Sequence, residues 1–501
     1  MNQVRRENIL PFQATDHILV VGLGRSGVAA ARFLLGLGIK VSVSEAGRAV
    51  TPDSAAVTWL LERGVHCELG GHSPELFTSV DAILVSPGVP LDLPVLDAAR
   101  AAGVPVIGEL ALAPAYLQTP AIAITGTNGK STVTTLVGEL LQAAGLRVFV
   151  GGNLGVPLCE YLAGPQEADW VVLELSSFQL DSAAGFRPRI GVLLNISPDH
   201  LDRYPDYPAY VASKWRIFAN QREDDYAVIN VADPEISGLA RRLPLRSRSV
   251  AFNPGEMPRT DSVMMAGAWS EGPAAADPIR LRLTGEERAG EGASVESYDL
   301  SATCLATEPN RQNAMAAILA ARLAGCAPEA IRRGLTVFQP LPHRLALVAT
   351  IAGVDFYDDS KATNIGAVIS ALRGLQQPVV LIAGGLDKGG DYGLMLPVVR
   401  EKVKALVLIG SAREKMAAAL ARAVPVKTAS DLPTAVQTAF ALAGAGEAVL
   451  LSPACASFDM FTGYAQRGEV FRQAVRELQE SRDGSGNLLA RGCPIMAAML
   501  I

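Results

Sequence analysis

Short apolar runs alternate with alanine- and leucine-rich stretches along most of this 501-residue chain, and this alternation is its most constraining feature. HILVVGLG is followed by VAAARFLLGLG, and similar apolar runs recur later as VVLIAGG and ALVLIG. Parallel strands need long crossover connections, which are usually helices, so this order of elements favours parallel sheets covered by helices. The sequence therefore predicts the α/β class.

The length and the proline-bearing segments predict the domain organisation. At roughly 100 to 200 residues per domain, the chain has room for about three domains. We predict a first domain at 1–108, a second at 109–340 that opens with AIAITGTNGKST, and a third at 341–480 that opens with LPHR. Residues 481–501 form a tail of unknown role. Residues 254–300, rich in glycine, proline and charge, predict loops with weak hairpins inside the second domain.

Composition and charge indicate the class of partner. Charged residues make up 19% of the chain and the net charge is −6 without basic blocks, which argues against a nucleic-acid surface and favours small-molecule substrates. No apolar run reaches the roughly 20 residues that span a bilayer, so no membrane insertion is expected. Six cysteines are scattered without a C-x-x-C pair, so we expect neither disulfides nor a thiolate zinc site. A cytoplasmic monomer is expected.

The stretch AIAITGTNGKST predicts a phosphate-binding loop. AIAIT is typical of a buried strand and TVTTLVGELLQAAG of a helix, so the glycines fall at a strand-to-helix turn. Backbone N–H groups near Gly126 and Gly129 and the ammonium of Lys130 can converge on phosphate oxygens. Ser131 or Thr132 can present a hydroxyl to Mg²⁺. An ordinary glycine-rich turn is the alternative, but the combination of strand, GK[ST] and helix favours a nucleoside triphosphate.

Glu174 lies in the middle of the strand-like apolar run WVVLEL. A carboxylate is costly to bury unless a cation accompanies it, so a cation partner is expected there. Asp202 and Lys214 follow another apolar run, IGVLLN. The alternative for Lys214 is a lysine on the surface of a helix, and its positive charge would repel a nearby Mg²⁺.

Of the five histidines, His200 has the strongest functional context. It stands beside Asp199 after the run IGVLLN, where open α/β sheets place their ligands, so we prefer a metal or catalytic role over an ordinary loop histidine. His17, His66 and His72 are interpreted as ordinary loop histidines.

The segment VVGLGRSG places Gly22, Gly24 and Gly27 between a strand and a helix. A G-x-G-x-x-G pattern by itself is compatible with a dinucleotide-dependent oxidoreductase as well as with other diphosphate ligands.

Four motifs resemble those of the Mur ligases of bacterial cell-wall synthesis and of their folylpolyglutamate synthetase relatives. They are, in order along the chain, TGTNGKST, GGNLG, LELSSFQL and DHLDRY. Four later motifs are similar to those of the family branch that adds D-glutamate: LPHRL, DDSKATN, GGLDKG and LSPACASFDMFTGYAQRGEVF. The similarity spans nearly all of residues 16–475. The resemblance implies an N-terminal Rossmann-like domain for a UDP-linked substrate, a central P-loop ATPase domain with a parallel sheet, and a C-terminal Rossmann-like domain for the amino acid.

The resemblance also implies a reaction in peptidoglycan precursor synthesis. ATP would phosphorylate the alanine carboxylate of UDP-N-acetylmuramoyl-L-alanine, and the amine of D-glutamate would attack the acyl phosphate. Positioning and charge neutralisation supply most of such catalysis, with Mg²⁺ as the implied cofactor. A CO₂-derived carbamate on Lys214 is implied as well, and it would turn a cation into an anion that tolerates Mg²⁺.

The resemblance assigns roles to five groups of residues. The catalytic group is Lys130, His200, Lys214 and Lys361. The ATP-binding group is Gly126, Thr127, Asn128, Gly129, Lys130, Ser131, Thr132, Asn310, Asn313, Arg344 and Asp359. The metal ligands are Ser131, Glu174, His200 and Lys214 as its carbamate. The residues for the UDP-linked substrate are Gly22, Gly24, Arg25, Ser26, Gly27, Glu45, Arg48, Ser86 and Asn153. The D-glutamate residues are Thr363, Lys388, Ser457 and Tyr464.

Alternatives remain at two of these positions and for the whole chain. Asn310 is equally compatible with a helix N-cap, and Lys388 with a solvent-facing turn lysine. A nicotinamide-dependent oxidoreductase would leave the GTNGKST loop without a role, and a non-catalytic P-loop protein would not need DDSKATN. A sibling ligase that adds another amino acid is the nearest alternative within the family.

Overall fold

Three mainly parallel sheets with associated helices carry the chain, which confirms the predicted α/β class. The computed structural model describes residues 10–47, 51, 54–201, 203–253, 267–270, 277–283 and 295–485. The described parts of Met1–Ile196 and Arg203–Phe338 form a first compact unit, and those of Ser197–Asp202 and Gln339–Ile501 form a second. Arg48, Asp202 and most of the predicted tail and of the 254–300 region lie outside the described residues.

The first sheet carries the predicted glycine turn at the start of a helix. Its strands are β1 (His17–Val21), β2 (Lys40–Glu45), β3 (His66–Leu69), β4 (Ala82–Val85) and β5 (Val106–Gly108). Its helices are α1 (Arg25–Gly36), α2 (Ala55–Leu61), α3 (Pro74–Ser79) and α4 (Pro94–Ala101). All strands are parallel in the order β3-β2-β1-β4-β5. Because the order reverses beside β1, the loops after β1 and β4 diverge, and such a point is where open sheets bind ligands.

The second sheet has nine strands and carries the phosphate-loop sequence. Its strands are β6 (Ala121–Thr125), β7 (Val148–Gly152), β8 (Trp170–Glu174), β9 (Ile190–Leu193), β10 (Tyr226–Asn230), β11 (Arg248–Phe252), β12 (Gly267–Ser270), β13 (Ile279–Arg282) and β14 (Val295–Tyr298). Its helices are α5 (Ala113–Tyr116), α6 (Lys130–Ala143), α7 (Leu158–Leu162), α8 (Ser177–Asp181), α9 (Tyr207–Trp215), α10 (Pro234–Arg242), α11 (Asn310–Leu323) and α12 (Pro328–Val337). The order is β14-β13-β12-β11-β10-β9-β6-β8-β7. The antiparallel pairs β12·β13 and β13·β14 are the hairpins expected within 254–300.

Strand β6 shows why AIAIT reads as an uninterrupted apolar run. All five of its residues are buried, between β8 and β9. Ala121 and Ala123 enter one hydrophobic core, and Ile122 and Ile124 enter another. Successive side chains of a strand point to opposite faces, so a central strand covered on both faces needs apolar residues throughout. The predicted strand and the helix after the glycine loop are therefore confirmed.

The third sheet belongs to the second unit. Its strands are β15 (Ala346–Ile351), β16 (Val354–Asp358), β17 (Val379–Gly384), β18 (Val403–Ile409), β19 (Val426–Thr428) and β20 (Ala448–Leu451). Its helices are α13 (Ile365–Gly374), α14 (Leu396–Lys402), α15 (Arg413–Leu420), α16 (Leu432–Leu442) and α17 (Tyr464–Ser485). The order is β15-β16-β20-β17-β18-β19, and only the β15·β16 pair is antiparallel among these strands. DDSKATN begins at the last residue of β16, and SPACAS follows β20, the strand beside it.

Candidate functional site

A cavity of about 610 Å³ opens at the carboxyl ends of strands in the first sheet and reaches the loop after β7. Its lining contains seven of the nine residues expected to bind a UDP-linked substrate: Gly22, Gly24, Arg25, Ser26, Glu45, Ser86 and Asn153. Gly27 is buried at the start of α1, where a Cβ would lie 1.8 Å from the carbonyl oxygen of Gly22. Its role is therefore close packing of helix against turn. Arg48 lies outside the described residues.

The predicted phosphate loop joins β6 to α6 and needs glycine for its backbone. Gly126 and Gly129 have φ values of +151° and +85°, which side chains other than glycine rarely adopt. A Cβ at Gly129 would also lie 2.3 Å from Oδ1 of Asn313. The ammonium of Lys130 donates to the carbonyl oxygens of Gly126 at 3.0 Å and Thr127 at 2.8 Å. A full positive charge thus lies over the loop at a helix N terminus, as phosphate binding requires.

Lys214 is buried on α9, so the helix-surface interpretation is wrong. Its side chain is 2% exposed, and its Nζ donates to the carbonyl oxygen of Gly126 at 2.7 Å. The same nitrogen lies 4.7 Å from the centroid of the Tyr210 ring. Lys130 and Lys214 therefore direct two ammonium groups at one carbonyl oxygen. Like charges this close favour an anion beside them.

Glu174 lies in the middle of the apolar run WVVLEL, but it is the last residue of β8. It pairs in register with Ile124 of β6, so its carboxylate and the phosphate loop share one sheet edge. Glu174 is 3% exposed, and its Oε1 accepts a hydrogen bond of 2.6 Å from Nδ2 of Asn153. Ser131 is 1% exposed in the first turn of α6. A carboxylate and a hydroxyl are oxygen ligands of the kind that Mg²⁺ prefers.

Asn195 holds the phosphate loop and was missed by the sequence analysis. Its backbone carbonyl accepts from the N–H of Thr127 at 2.8 Å, and its Oδ1 accepts from the N–H of Asn128 at 2.8 Å. Asn195 is the last residue of IGVLLN and lies two residues beyond the end of β9, which pairs with β6. A polar residue at the end of a buried strand was the available signal, but the same signal occurs at many strand ends.

The remaining residues predicted near ATP in this unit are Thr132 and two asparagines. Thr132 is 4% exposed within α6. Asn310 is the first residue of α11 and Pro309 holds the N-cap position, so the N-cap alternative is wrong. Nδ2 of Asn313 donates to Oδ1 of Asn310 at 3.4 Å.

The second unit contains a cavity of about 260 Å³ whose lining includes His200, Thr363 and Lys388. Lys388 donates to Oδ1 of Asp199 at 2.7 Å, and Asn364 donates to Oδ2 of the same carboxylate at 3.1 Å. The Lys388 side chain is 19% exposed, so the solvent-facing alternative is wrong. Asp199 thus accepts hydrogen bonds from two other residues of this cavity's lining.

His200 falls in the second unit, unlike the other predicted metal ligands. It has a left-handed backbone with φ of +54°, and its Nε2 lies 3.7 Å from Oδ2 of Asp199. Non-glycine residues in this conformation are uncommon and concentrate at functional sites.

Arg344 and Asp359, the predicted ATP-contacting pair, also lie in the second unit. Asp359 accepts hydrogen bonds from Oγ of Ser452 at 2.8 Å and from the N–H of Leu345 at 3.2 Å. Burial raises the pKa of Asp359 to about 7, although the Ser452 hydrogen bond and the charge of Arg344 act in the opposite direction. His343 and Leu345 both have positive φ, of +62° and +46°, and so fix the backbone on either side of Arg344.

Lys361, Ser457 and Tyr464 lie in and around two neighbouring loops of the third sheet. The Nζ of Lys361 is 5.0 Å from the centroid of the Tyr464 ring, and Ser457 is 2% exposed. Ser457 and Tyr464 lie outside the lining of the 260 Å³ cavity. The fully buried Arg467 ties the loops together, since its guanidinium donates to the Ser360 carbonyl at 2.8 Å and to the Cys455 carbonyl at 3.2 Å. Arg467 lies within the motif LSPACASFDMFTGYAQRGEVF but was not predicted as a site residue.

Three family models match successive parts of the chain. The Mur ligase MurD-like N-terminal domain matches 16–108, the Mur ligase middle domain matches 124–321, and the Mur ligase glutamate ligase domain matches 343–455. These ranges include the two glycine loops and the DDSKATN motif.

Curated relatives match over nearly their whole length. The UDP-N-acetylmuramoylalanine--D-glutamate ligase of Desulfosudis oleivorans is 44% identical over 469 residues, which cover 94% of this chain and 98% of the relative. The ligase of the same name from Syntrophotalea carbinolica is 42% identical and covers 92% of this chain and 98% of its own.

Solved structures share the fold at low identity. A pseudomurein peptide ligase type C from Methanothermus fervidus superposes with a TM-score of 0.58 at 18% identity and covers 93% of this chain and 100% of that one. MurF from Acinetobacter baumannii superposes with a TM-score of 0.54 at 18% identity, over 80% of this chain and 93% of that one. No helix within the described residues is long and apolar enough to cross a membrane.

Proposed function

The chain belongs to the Mur ligase family, and we propose that it joins D-glutamate to UDP-N-acetylmuramoylalanine at the expense of ATP, in peptidoglycan precursor synthesis. One observation carries the proposal best. Asn153 lines the cavity of the predicted UDP-substrate residues and also donates to Glu174, the carboxylate at the edge of the phosphate loop. A single side chain therefore connects the candidate substrate site with the candidate metal site. The three predicted domains, 1–108, 109–340 and 341–480, remain part of this proposal.

The residues of the first unit suit the phosphoryl-transfer half of the reaction. A carboxylate is a poor acyl donor, so an oxygen of the alanine carboxylate would bond to the γ-phosphorus of ATP while the bond to ADP breaks. Lys130 and the N–H groups of the glycine loop would hold the phosphate oxygens. Ser131 and Glu174 would hold a Mg²⁺ ion, which when bound would neutralise charge on the triphosphate. The buried strand ends would keep these groups in place while the charge moves.

The residues of the second unit suit an amino acid with two carboxylates. Lys388 offers a partly buried ammonium, which is ion-paired with Asp199, to a cavity whose lining also contains Thr363. Ser457, Tyr464 and Lys361 complete the proposed acceptor site, and charge-assisted donors of this kind are the strong partners of carboxylates. The amine of D-glutamate would attack the acyl carbon and release inorganic phosphate.

Further roles in the second unit concern ATP and a second metal ion. Arg344 and Asp359 would contact ATP, and His200 would hold the second Mg²⁺. The left-handed backbone of His200 supports a constrained position for its imidazole.

A carbamate on Lys214 is the proposed modification. The buried Nζ lies against the carbonyl oxygen that Lys130 also contacts, so an anionic carbamate there would face the ammonium of Lys130. Incubation with ¹³CO₂ should give a carbamate carbon signal in NMR spectra that Lys214→Arg lacks. Activity of the wild-type protein that is indifferent to CO₂ depletion, with no such signal, would contradict the modification.

The proposed compartment and assembly are a cytoplasmic monomer. The five described cysteines are free thiols, as is usual in a reducing compartment. Light scattering of the purified protein would measure its mass in solution.

The decisive assay is phosphate release from ATP in the presence of UDP-N-acetylmuramoyl-L-alanine. D-glutamate should be required, and L-glutamate, L-alanine and a diamino acid should not replace it. Lys130→Ala should reduce the rate at least about 100-fold, because it removes the positive charge that would stabilise the phosphoryl group during its transfer. Lys40→Ala, at an exposed lysine of the first sheet, is the matched control and should retain the wild-type rate.

Other outcomes of this assay favour other functions. Dependence on a different amino acid would assign the chain to a sibling ligase. ATP turnover without an amino acid or peptide product would favour a non-catalytic P-loop protein, and binding of NAD(H) without any ATP dependence would favour an oxidoreductase.

A further inference from the structure

His72 lines the 610 Å³ cavity and has a defined hydrogen-bonding state that the sequence did not suggest. It follows β3, at the edge of the first sheet, and Glu45, the last residue of the neighbouring strand β2, lines the same cavity. Its ring packs edge-to-face on the buried Phe77, with centroids 5.3 Å apart. Its Nδ1 lies 2.7 Å from Oγ of the fully buried Ser44. These two contacts fix the plane of the imidazole.

Hydrogen-bond accounting at Ser44 determines the tautomer of His72. The Ser44 hydroxyl has one hydrogen, and its other partners are the Glu68 carboxylate at 2.7 Å and the carbonyl oxygen of Gly71 at 3.2 Å. Both of these are acceptors, so Ser44 donates to one of them and must accept from His72. Nδ1 of His72 therefore carries the proton.

Glu68, the carboxylate that accepts from Ser44, remains ionised. Burial acts to raise its pKa, but hydrogen bonds from Ser73 and Ser44 outweigh burial and lower it below the usual value. The backbone N–H of Ser73 donates to Oε1 of Glu68 at 2.9 Å, which leaves Oε2 to accept from Ser44. With Nδ1 as the donor to Ser44, Nε2 is the ring nitrogen left to accept a hydrogen bond from a ligand. Within the described residues no polar atom is hydrogen-bonded to Nε2.

The position of His72 relative to Glu45 indicates which part of a bound nucleotide His72 would contact. A carboxylate after the second strand of such a sheet contacts ribose hydroxyls, and the glycine turn after β1 meets the diphosphate. The loop after β3 lies one strand further from that turn, at the nucleoside end. Uracil carries one ring N–H, at N3, whereas the N3 of cytosine is itself an acceptor.

We propose that His72 is a specificity-determining residue whose Nε2 accepts a hydrogen bond from N3–H of uracil in the UDP-linked substrate. This inference rests on the proposed function, since it needs the cavity to hold a uridine nucleotide. Cytosine would place an acceptor against an acceptor, which leaves two polar atoms unsatisfied in a partly buried site.

Calorimetric titration of the full-length protein with UDP and CDP tests the inference. Wild type should bind UDP at least about tenfold tighter than CDP, as expected for one satisfied hydrogen bond against an acceptor clash. In His72→Ala the two affinities should come within about threefold of each other. His66→Ala is the matched control, because His66 is an exposed histidine on β3 outside the cavity lining, and it should keep the wild-type ratio.

Two further arms separate the hydrogen bond from a merely structural effect. His72→Gln offers an amide oxygen to the ligand and should recover part of the preference for UDP. The N3-methylated analogue of UDP should bind wild type as weakly as CDP does but should bind His72→Ala about as well as UDP does. A His72-dependent penalty for 2′-deoxy-UDP instead of the N3-methyl analogue would overturn the assignment to uracil.

The outcomes also distinguish failure of the inference from failure of the proposed function. If wild type binds UDP but does not prefer it to CDP, or if His72→Ala keeps the full preference, His72 does not read the base. If wild type and His66→Ala both fail to bind UDP and UDP-N-acetylmuramoyl-L-alanine, the cavity is not a uridine nucleotide site, and the proposed function and the inference are both wrong.

Discussion

Two lysines that could have stood on the surface are held by short contacts in the candidate sites. Nζ of Lys214 donates to the Gly126 carbonyl, and Nζ of Lys388 donates to the Asp199 carboxylate, both at 2.7 Å. A buried ammonium costs free energy unless polar or charged partners compensate it. Lys388 is therefore placed to meet an anionic ligand at small additional cost in side-chain entropy, whereas Lys214 is placed for the proposed carbamate.

Substitution of Lys388 tests the candidate amino-acid site. In Lys388→Met the KM for D-glutamate should rise at least about tenfold, because a charge-assisted hydrogen bond to a carboxylate contributes about 1.5–3 kcal/mol. Steady-state phosphate release at varied D-glutamate measures this change, and the KM for ATP should stay near the wild-type value. Lys404→Met removes another ion-paired lysine of the same unit, whose partner is Glu447, and should leave both constants unchanged. Equal KM values in the two variants would contradict the site.

Asp359 predicts a pH dependence of stability. Its pKa is about 7 in the folded protein and its ordinary value is 3.8, so between pH 4 and 7 the folded protein keeps a proton that the unfolded chain releases. The free energy of unfolding contributed by this group is therefore greatest below pH 4 and falls as the pH rises to 7. Asn cannot titrate, so Tm of Asp359→Asn relative to wild type should increase across this range in thermal unfolding.

Asp431 supplies the control for the pH experiment. Hydrogen bonds from Thr434 hold the pKa of Asp431 below its ordinary value of 3.8, so its contribution is lost only at more acidic pH. The Tm difference between Asp431→Asn and wild type should thus stay nearly constant from pH 5 to 8. A flat profile for Asp359→Asn as well would show that Asp359 is ionised in the folded protein throughout.

At the level of elements, the turn from β1 to α1 uses two glycines for different reasons. A Cβ at Gly27 would meet backbone, 1.8 Å from the Gly22 carbonyl oxygen, whereas nothing lies within 4 Å of a Cβ at Gly24. Gly24 lines the 610 Å³ cavity. Gly27 is therefore needed for the packing of α1 against the turn, and Gly24 leaves room for a ligand to approach the backbone.

The matched alanine variants should therefore separate stability from binding. Gly27→Ala should lower the free energy of unfolding by about 1–3 kcal/mol or more, because backbone must shift. Gly24→Ala should leave Tm almost unchanged and weaken binding of UDP-N-acetylmuramoyl-L-alanine about tenfold by crowding the diphosphate. Thermal unfolding and calorimetric titration measure the two effects. A stable Gly27→Ala protein would contradict the packing argument.

The molecule as a whole has separate hydrophobic cores in its two units. Val380, Leu406 and Leu450 belong to cores of the second unit, while Ile124 and Val20 belong to cores of the first. Cooperative unfolding follows the extent of a shared core, so each unit is expected to unfold by its own transition.

Tryptophan fluorescence can distinguish the units, because all four tryptophans lie in the first: Trp59, Trp170, Trp215 and Trp269. In urea, far-UV circular dichroism should show two transitions, and fluorescence should follow only one of them. UDP-N-acetylmuramoyl-L-alanine should shift the transition seen by fluorescence to higher urea by mass action. Coincident single transitions from both probes would contradict independent cores.

Much of the fold follows from local sequence, whereas the site residues depend on distant neighbours. The strand and helix around Gly126 and Gly129 were predictable because burial of both strand faces and a left-handed turn leave direct marks in AIAITGTNGKST. The end of β8 at Glu174 was not, since an apolar run does not mark where hydrogen bonding to the next strand stops.

By itself, the sequence determined the α/β class, because strand periodicity and glycine turns are properties of contiguous residues, and its motifs carried the resemblance to the family. Tertiary structure alone decided that Lys214 is buried against a loop 88 residues away, that Lys388 pairs with a carboxylate 189 residues away, and that Nδ1 of His72 meets the buried hydroxyl of Ser44, 28 residues away. Such contacts join residues whose separation along the chain carries no periodic signal. They arise only when parallel strands bring the loops at their carboxyl ends to one edge of a sheet.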